Sequence, residues 1–169
     1  MKSKKLFSAL FITMLVSFPA GSYADTSVNL FKIERNKNSN AVYYDVNIDD
    51  NGKINPKKPI RAYWILHEKA DRRQNLTILD ERAYGFRVKK SKGEDSFYFT
   101  IQSIKKRKIK IRQNGENIYP EILINGRPSI LKKVYVKSKE TFFLPQVKYI
   151  EFFGTDLETN EEVYEKFIK

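Results

Sequence analysis

The sequence has no cysteine, one histidine and only two methionines in 169 residues. The absence of cysteine excludes disulfide bonds, a cysteine nucleophile and lipid attachment at a processed N-terminal cysteine. The single histidine, His67, excludes a metal site with two histidine ligands, and any Ser-His-Asp mechanism would have to use this residue. The chain also lacks a Gly-x-Ser-x-Gly motif and a glycine-rich phosphate loop. Packing alone must therefore hold the fold together.

Long apolar runs are equally scarce, and the one at the start of the chain has the layout of an export signal. Three lysines precede the apolar run 6–18, and Ser22-Tyr23-Ala24 places small residues where a signal peptidase accepts them. The run is shorter than the roughly 20 residues that a transmembrane helix needs. We expect residues 1–24 to be a cleaved signal peptide rather than a retained anchor. The mature chain then has no transmembrane segment and is periplasmic or secreted in a bacterium.

Residues 25–169 are expected to form a single β-rich domain. Because Lys2, Lys4 and Lys5 leave with the signal, these 145 residues keep 29 Lys and Arg against 20 Asp and Glu, a net charge of +9. A chain of about 150 residues buries roughly 70% of its unfolded surface, which suffices for a core without disulfides. An exported protein seldom meets nucleic acid, so the charge favours anionic lipid headgroups or envelope polysaccharide as partners.

Three Asn-Gly pairs predict β-hairpin turns. They are Asn51-Gly52, Asn114-Gly115 and Asn125-Gly126, and each lies between segments in which apolar and polar residues alternate. With the other alternating runs they predict about eight antiparallel strands, at 42–48, 60–66, 97–101, 109–112, 118–124, 130–136, 147–153 and within 161–169. The pattern predicts an all-β fold, a single antiparallel β-sandwich or barrel.

Two segments depart from a simple strand pattern. Apolar residues recur at helical spacing from Leu76 to Phe86, and Thr77 with Asp80 resembles a capping box, so we expect one short helix there. The C-terminal segment 161–169 fits a helix or a strand. We favour the strand because a turn before it suggests a last hairpin.

Several short motifs resemble those of a known family. They are Leu30-Phe31-Lys32-Ile33-Glu34-Arg35, Asn40, Pro59-Ile60 leading into Tyr63-Trp64, Ala83-Tyr84-Gly85, Phe153-Gly154 and Val163-Tyr164-Glu165-Lys166. By these motifs nearly all of the mature chain resembles a bacterial exported family catalogued as domain of unknown function four-eight-three-three. The resemblance implies export and a single domain, and it brings no catalytic residue.

The leading functional hypothesis is a noncatalytic exported β-domain that binds a small ligand or an envelope component. The segment 60–66 is apolar or amphipathic on both faces, which predicts a central strand with the helix over one face. Aromatic walls with one fixed charge are typical of ligand sites. The residues that fit this description are Arg61, Tyr63, Trp64 and Tyr84.

The second hypothesis is an interaction protein that docks on an anionic surface through a basic strand. The stretch 105–112 is the most basic part of the mature chain. If its isoleucines face the core, strand alternation places four cations in one outward row about 7 Å apart. The row consists of Lys106, Lys108, Lys110 and Arg112. The alternative is a solvated lysine-rich edge that prevents aggregation between strands.

A carboxylate-dependent hydrolase is the third and weakest hypothesis. Acidic residues such as Glu68 and Asp71 are plentiful, but nothing in their spacing selects the facing pair that a glycosidase needs. His67 follows the strand 60–66 and is expected to bond to backbone or solvent. A calcium-loop pattern begins at Asn47 but has Lys58 where a bidentate acid is required. We therefore expect no metal site and no cofactor.

Overall fold

Eleven β-strands and one α-helix form the part of the chain that the structure, a computed structural model, describes, namely residues 26–91, 96–139 and 146–168. The elements are β1 (Ser27–Arg35), β2 (Asn38–Asn47), β3 (Ile60–Leu66), β4 (Arg72–Asn75), α1 (Ile78–Tyr84), β5 (Phe86–Lys90), β6 (Phe97–Ile101), β7 (Ile109–Asn114), β8 (Asn117–Ile124), β9 (Arg127–Lys139), β10 (Gln146–Asp156) and β11 (Glu162–Ile168). Short 3₁₀ turns, His67–Lys69 and Gln102–Ile104, follow β3 and β6. The expected signal peptide lies outside the described residues.

All eleven strands belong to one sheet that branches at β9. The main path runs β4-β3-β2-β1-β9-β8-β7-β6-β5, while β10 pairs with β9 off this path and β11 pairs with β10. On one edge of β9, residues 127–130 pair with β8 and residues 133–136 pair with β1. The other edge of β9 pairs with β10 along most of its length. Strand β9 therefore joins three parts of the sheet.

The fold is mostly β with one helix, as expected, but the strand count and pairing differ from the expectation. The eight predicted strands are present, and β1, β4 and β5 are additional. Strands β1 and β9 run parallel, so the expectation of a purely antiparallel sheet is wrong at this pair. The connection between these two parallel strands runs from the end of β1 at Arg35 to the start of β9 at Arg127. Local alternation of apolar and polar residues carries no information about the pairing of strands so far apart in sequence.

The three Asn-Gly pairs all lie in the predicted turns. Asn51-Gly52 lies between β2 and β3, Asn114-Gly115 between β7 and β8, and Asn125-Gly126 between β8 and β9. Of the three, Asn125-Gly126 alone has positive φ at both residues, 49° and 79°, as a type I′ turn requires. In the first turn the Asp49 carboxylate accepts hydrogen bonds from the backbone N–H groups of Asn51 and Lys53, both 2.9 Å. The Asp49 carboxylate therefore stabilises the turn.

The sheet curls so that β1 and β2 pack against β5 and β6 around an aromatic cluster. The Phe31 ring stacks on Tyr44 and on Phe99, with 4.8 and 5.9 Å between ring centres. Phe86 meets Tyr44 and Phe99 edge to face at 6.3 and 6.4 Å. The buried Tyr44 hydroxyl donates a 2.6 Å hydrogen bond to the Tyr84 carbonyl. Burial raises the pKa of Tyr44 well above its ordinary value.

Helix α1 begins at the capping box that the sequence predicts. Thr77 Oγ1 accepts a 3.2 Å hydrogen bond from the Asp80 backbone N–H, and the Asp80 carboxylate accepts a 3.0 Å bond from the Thr77 backbone N–H. Burial acts to raise the pKa of Asp80, but hydrogen bonds from Thr77 and the Trp64 side chain outweigh it and lower the pKa. The helix thus contacts β3 through Trp64, and β3 is second from the sheet edge rather than central as expected.

Strand β10 continues through Gly154 to Asp156 instead of ending at the glycine. The register with β9 shifts between Phe153 and Gly154, so that β9 bulges at Lys132. The two strands approach so closely here that a Cβ atom on Gly154 would lie 2.5 Å from the Ile130 carbonyl oxygen. Glycine at this position therefore allows the close approach.

Candidate functional site

The four residues expected to line one ligand pocket lie on opposite faces of β3. Arg61 and Tyr63 are half-buried and face away from the helix, whereas Trp64 is 4% exposed and faces the core. Tyr84, at the end of α1, meets Trp64 edge to face with 5.2 Å between ring centres. Because successive strand residues point to opposite faces, Trp64 cannot share a pocket with its neighbours in the strand. The structure brings the four residues together as two separate pairs.

Trp64 and Tyr84 belong to the packing between β3 and the helix. The guanidinium carbon of Arg35 lies 4.4 Å from the centre of the indole ring, and the Trp64 side chain donates a hydrogen bond to Asp80. The indole is therefore enclosed by an arginine, a tyrosine and a carboxylate of the same chain. Trp64 seals the junction of β3 with α1.

Arg61 and Tyr63 converge on a buried carboxylate, Asp45 of β2. Asp45 is 3% exposed, and its Oδ2 atom accepts hydrogen bonds from Arg61 Nε and Nη2 at 3.2 and 3.1 Å. The Tyr63 hydroxyl donates to the same oxygen at 2.8 Å, and Asn29 donates to Oδ1 at 3.0 Å. A buried charge is tolerated when it is paired and hydrogen-bonded in this way. Asp45 therefore holds Arg61 and Tyr63 in fixed positions.

Two tyrosines form the accessible part of this region. Tyr43 and Tyr63 lie opposite each other on β2 and β3, with ring centres 6.1 Å apart, and the Arg73 guanidinium carbon lies 3.5 Å from the Tyr63 ring centre. Burial raises the pKa of Tyr63 to about 12, helped by the hydrogen bond to Asp45 and opposed by Arg73 and Arg61. We call the shallow cavity of about 570 Å³ at Tyr43, Asp45, Arg61 and Tyr63 the tyrosine surface.

The single histidine lies at the rim of the tyrosine surface. The Nδ1 atom of His67 contacts the carboxylate of Asp71, and the His67 ring centre lies 6.4 Å from that of Tyr43. Positive φ angles at Ala70 and Asp71, 52° and 57°, turn the chain back towards the imidazole. The partner of His67 is therefore a carboxylate, where the sequence predicted backbone or solvent.

Two of the four cations expected in a basic row lie close to an acidic residue. Lys110 and Glu121 face each other on β7 and β8, and Arg112 Nε donates a 2.7 Å hydrogen bond to the Glu121 carboxylate. Lys110 is only 8% exposed, and its Nζ atom lies 5.4 Å from the Tyr98 ring centre. Because both cations lie beside Glu121 on the neighbouring strand, they do not form part of an outward row of unneutralised charges.

The other two cations of the expected row, Lys106 and Lys108, lie before β7 begins at Ile109. Strand alternation therefore does not place them in line with Lys110. Lys106 borders an apolar cavity beside β10, whereas Lys108 borders a groove over β5 and β6. The structure thus divides the row, and Lys108 joins a different set of cations.

This set of cations lines a cavity of about 710 Å³, which we call the basic groove. The cations are Arg87, Lys89, Lys90, Lys105 and Lys108. No described residue that lines the groove is acidic. None of the five cations forms an ion pair with a described residue, in contrast to Arg107, which pairs with Glu165. The groove is therefore a region of concentrated positive charge.

The β5 strand supplies three of these cations. The helical spacing of apolar residues from Leu76 to Phe86 predicts helix up to the start of this strand, so the sequence-based prediction lacks β5. The sequence Phe86-Arg87-Val88-Lys89 alternates apolar and basic residues, and this period of two was the available signal for a strand. Asp45 was also missed. The hairpin register places Asp45 directly opposite Arg61, so the facing opposite charges were its signal.

Within residues 26–91, 96–139 and 146–168, no group of three or more His, Cys, Asp or Glu residues is arranged to hold a metal ion. Across the same ranges, no helix has both the length and the apolar character needed to cross a membrane.

The fold and these surfaces define a mostly β protein with a basic groove and a tyrosine surface. A family model described as Domain of unknown function (DUF4833) matches residues 31–166, and the chain belongs to this family. The resemblance predicted from the motifs is thereby confirmed. Neither the curated proteins nor the solved structures contain a match to the chain.

Proposed function

We propose that this protein is an exported, noncatalytic β-domain that binds a phosphate-bearing component of the bacterial envelope through the basic groove. The observation that carries the proposal is the lining of the groove, with five cations and no described acid. A phosphate-bearing ligand would supply the missing negative charge. The signal-like residues 1–24 support a periplasmic or secreted location. The net charge of +9 that remains after their removal supports an anionic partner.

The spacing of the cations in the basic groove suits an anion that contacts several of them at once. Arg87 and Lys89 lie two residues apart on one face of β5, a spacing of about 7 Å. Lys105 and Lys108 come from the segment before β7 and line the same cavity. Arginine binds phosphate through two parallel hydrogen bonds, and lysine acts as a mobile point charge. The groove therefore combines one orienting guanidinium with several charges that adapt to the ligand.

The packing of the core favours binding at an outer surface. We propose that the curled sheet is a flattened, open sandwich whose interior is filled by its own side chains. Phe31, Tyr44 and Phe99 stack between the two halves of the sheet and are each at most 1% exposed. An eight-stranded barrel with a ligand cavity would need an empty interior.

Binding of inorganic polyphosphate to purified protein tests the proposal. Replacement of Arg87, Lys89 and Lys108 by Gln should weaken binding at least tenfold. A control with the same loss of charge replaces Lys57, Lys58 and Lys69, which are exposed and lie outside the groove. The control should keep most of the affinity. Equal losses in the two variants, or no binding by the wild-type protein, would overturn the proposal.

A second candidate function is the binding of a small ligand at the tyrosine surface. The observation that favours it is the fixed geometry of Arg61 and Tyr63, which both bond to the buried Asp45. Groups held in place before a ligand arrives lower the entropic cost of binding. This candidate predicts that a ligand perturbs Tyr43 and Tyr63 and leaves the basic groove unchanged.

A further inference from the structure

A second cavity, of about 600 Å³, adjoins the basic groove at the turn Gln102–Ile104. Gln102 and Lys105 line both cavities, so the turn lies between them. The second cavity has apolar walls, which consist of Ile104, Ile150, Phe152 and Phe167. We call it the apolar cavity. The apolar walls of this cavity therefore lie directly beside the positively charged basic groove.

One pair of opposite charges lines the apolar cavity. Arg107 forms an ion pair with Glu165, and its guanidinium carbon lies 4.7 Å from the centre of the Phe152 ring. Burial acts to raise the pKa of Glu165, but the hydrogen bonds from Arg107 and the Asn125 backbone N–H, together with the Arg107 charge, outweigh burial and lower the pKa. Lys105 and Lys106 also line the cavity, are exposed, and have no acidic partner among the described residues. The net positive charge of the apolar cavity therefore comes from Lys105 and Lys106, which follow the turn Gln102–Ile104.

The last strand adds a partly exposed apolar side chain to the cavity wall. Phe167 lines the apolar cavity and is 45% exposed on β11, which is an edge strand. Apolar groups exposed at a cavity are typical of binding sites for apolar ligands. A purely anionic polymer would cover the basic groove but leave this side chain in water.

We propose that the apolar cavity holds the acyl chain of an anionic amphiphile whose phosphate headgroup lies at Lys105 and the basic groove. This inference rests on the proposed function and names its ligand class, a lipid with a phosphate head and an apolar tail. The charge complementarity and the shared lining residues, Gln102 and Lys105, argue for this single occupant. A volume of about 600 Å³ also lies within the range of about 300–1,000 Å³ that is usual for small-molecule sites.

Titration with dodecyl phosphate and ethyl phosphate, both below the concentration at which dodecyl phosphate aggregates, tests the inference. The long-chain ester should bind about 100-fold more tightly, which is the gain expected from burying three to four methylene groups. Equal affinities would overturn the inference. Dodecyltrimethylammonium has the same chain with a cationic head and should bind at least tenfold more weakly than dodecyl phosphate. Equal binding of the two amphiphiles would mean unspecific adhesion and would also overturn it.

The variant Phe167→Ser should reduce the advantage of the long chain about tenfold and leave polyphosphate binding unchanged. Leu123→Ser is the matched control, because Leu123 is also exposed and apolar but lies outside the apolar cavity. Loss of the chain-length effect in both variants, or in neither, would contradict the inference. If a second copy of the protein covers the apolar cavity instead, dodecyl phosphate affinity should fall as protein concentration rises, which overturns it too. Failure of polyphosphate binding alone would identify the proposed function as the part at fault.

Discussion

Lys89 of β5 lies directly opposite Tyr98 of β6, and Lys110 of β7 lies opposite the same tyrosine on its other side. The Lys110 Nζ atom is 5.4 Å from the Tyr98 ring centre, a distance at which the ring face attracts a cation. This contact accompanies the burial of Lys110, while Lys89 stays exposed in the basic groove. Strand pairing thus positions the three groove cations that β5 supplies.

Replacement of Asp45 by Ala should destabilise the protein by about 3–5 kcal/mol. The change removes one partner of a buried ion pair and leaves Arg61 and Tyr63 without their shared acceptor. Urea denaturation measures the free energy of unfolding. Asp50→Ala removes the same charge at an exposed position and should change stability by no more than about 0.5 kcal/mol. A similar small effect at Asp45 would show that its hydrogen bonds contribute little.

Trp64→Ala should also cost about 3–5 kcal/mol, because the indole fills the junction of β3 with α1. Circular dichroism is the suitable probe, since the variant loses the only tryptophan of the chain. The fraction that remains folded should bind polyphosphate as well as wild type does. If the variant is stable but binds polyphosphate less tightly, Trp64 contributes to a ligand site rather than to packing.

Gly154→Ala should destabilise the sheet by about 1–3 kcal/mol. The added methyl group would meet the Ile130 carbonyl oxygen at 2.5 Å and the Ile124 side chain at 2.7 Å, so that β9 or β10 must shift. Thermal unfolding against the exposed control Gln146→Ala on the same strand measures the effect. Unchanged stability at Gly154 would mean that the strands separate without cost.

The Arg107–Glu165 pair should make stability depend on pH in the acidic range. The pKa of Glu165 in the folded protein lies below its ordinary value of 4.5. A carboxyl group of this kind stabilises the folded state above its unfolded pKa, and the contribution disappears as pH falls through the folded value. Glu165→Gln should therefore lose less stability than wild type between pH 6 and pH 3, as measured by urea denaturation. Parallel pH profiles would contradict this assignment.

Local patterns in the sequence predict the hairpins well. The capping box at Thr77 and the turn at Asn125-Gly126 both have the predicted geometry, since each depends on a few neighbouring residues. The C-terminal strand β11 is likewise confirmed. The parallel pair of β1 with β9 could not be predicted from local patterns, because its strands are far apart in sequence.

The candidate site was less predictable than the fold. Strand alternation separates Trp64 from Arg61 and Tyr63, so their grouping in one pocket could have been rejected from the sequence. The basic row failed for a different reason, because β7 begins only at Ile109 and Glu121 pairs with Arg112 across the sheet. The partners of a charged side chain depend on strand register, and amino-acid composition does not determine the register.

Nuclear magnetic resonance of ¹⁵N-labelled protein titrated with polyphosphate tests the central claim most directly, because it locates the bound anion residue by residue. The account predicts that backbone signals of β5, β6 and residues 105–108 shift at the lowest ligand concentrations and that the shifts diminish as salt is added. The triple Gln variant at Arg87, Lys89 and Lys108 should lose these shifts. Shifts centred on Tyr43 and Tyr63, or spread evenly over all exposed lysines, would contradict a binding site in the basic groove.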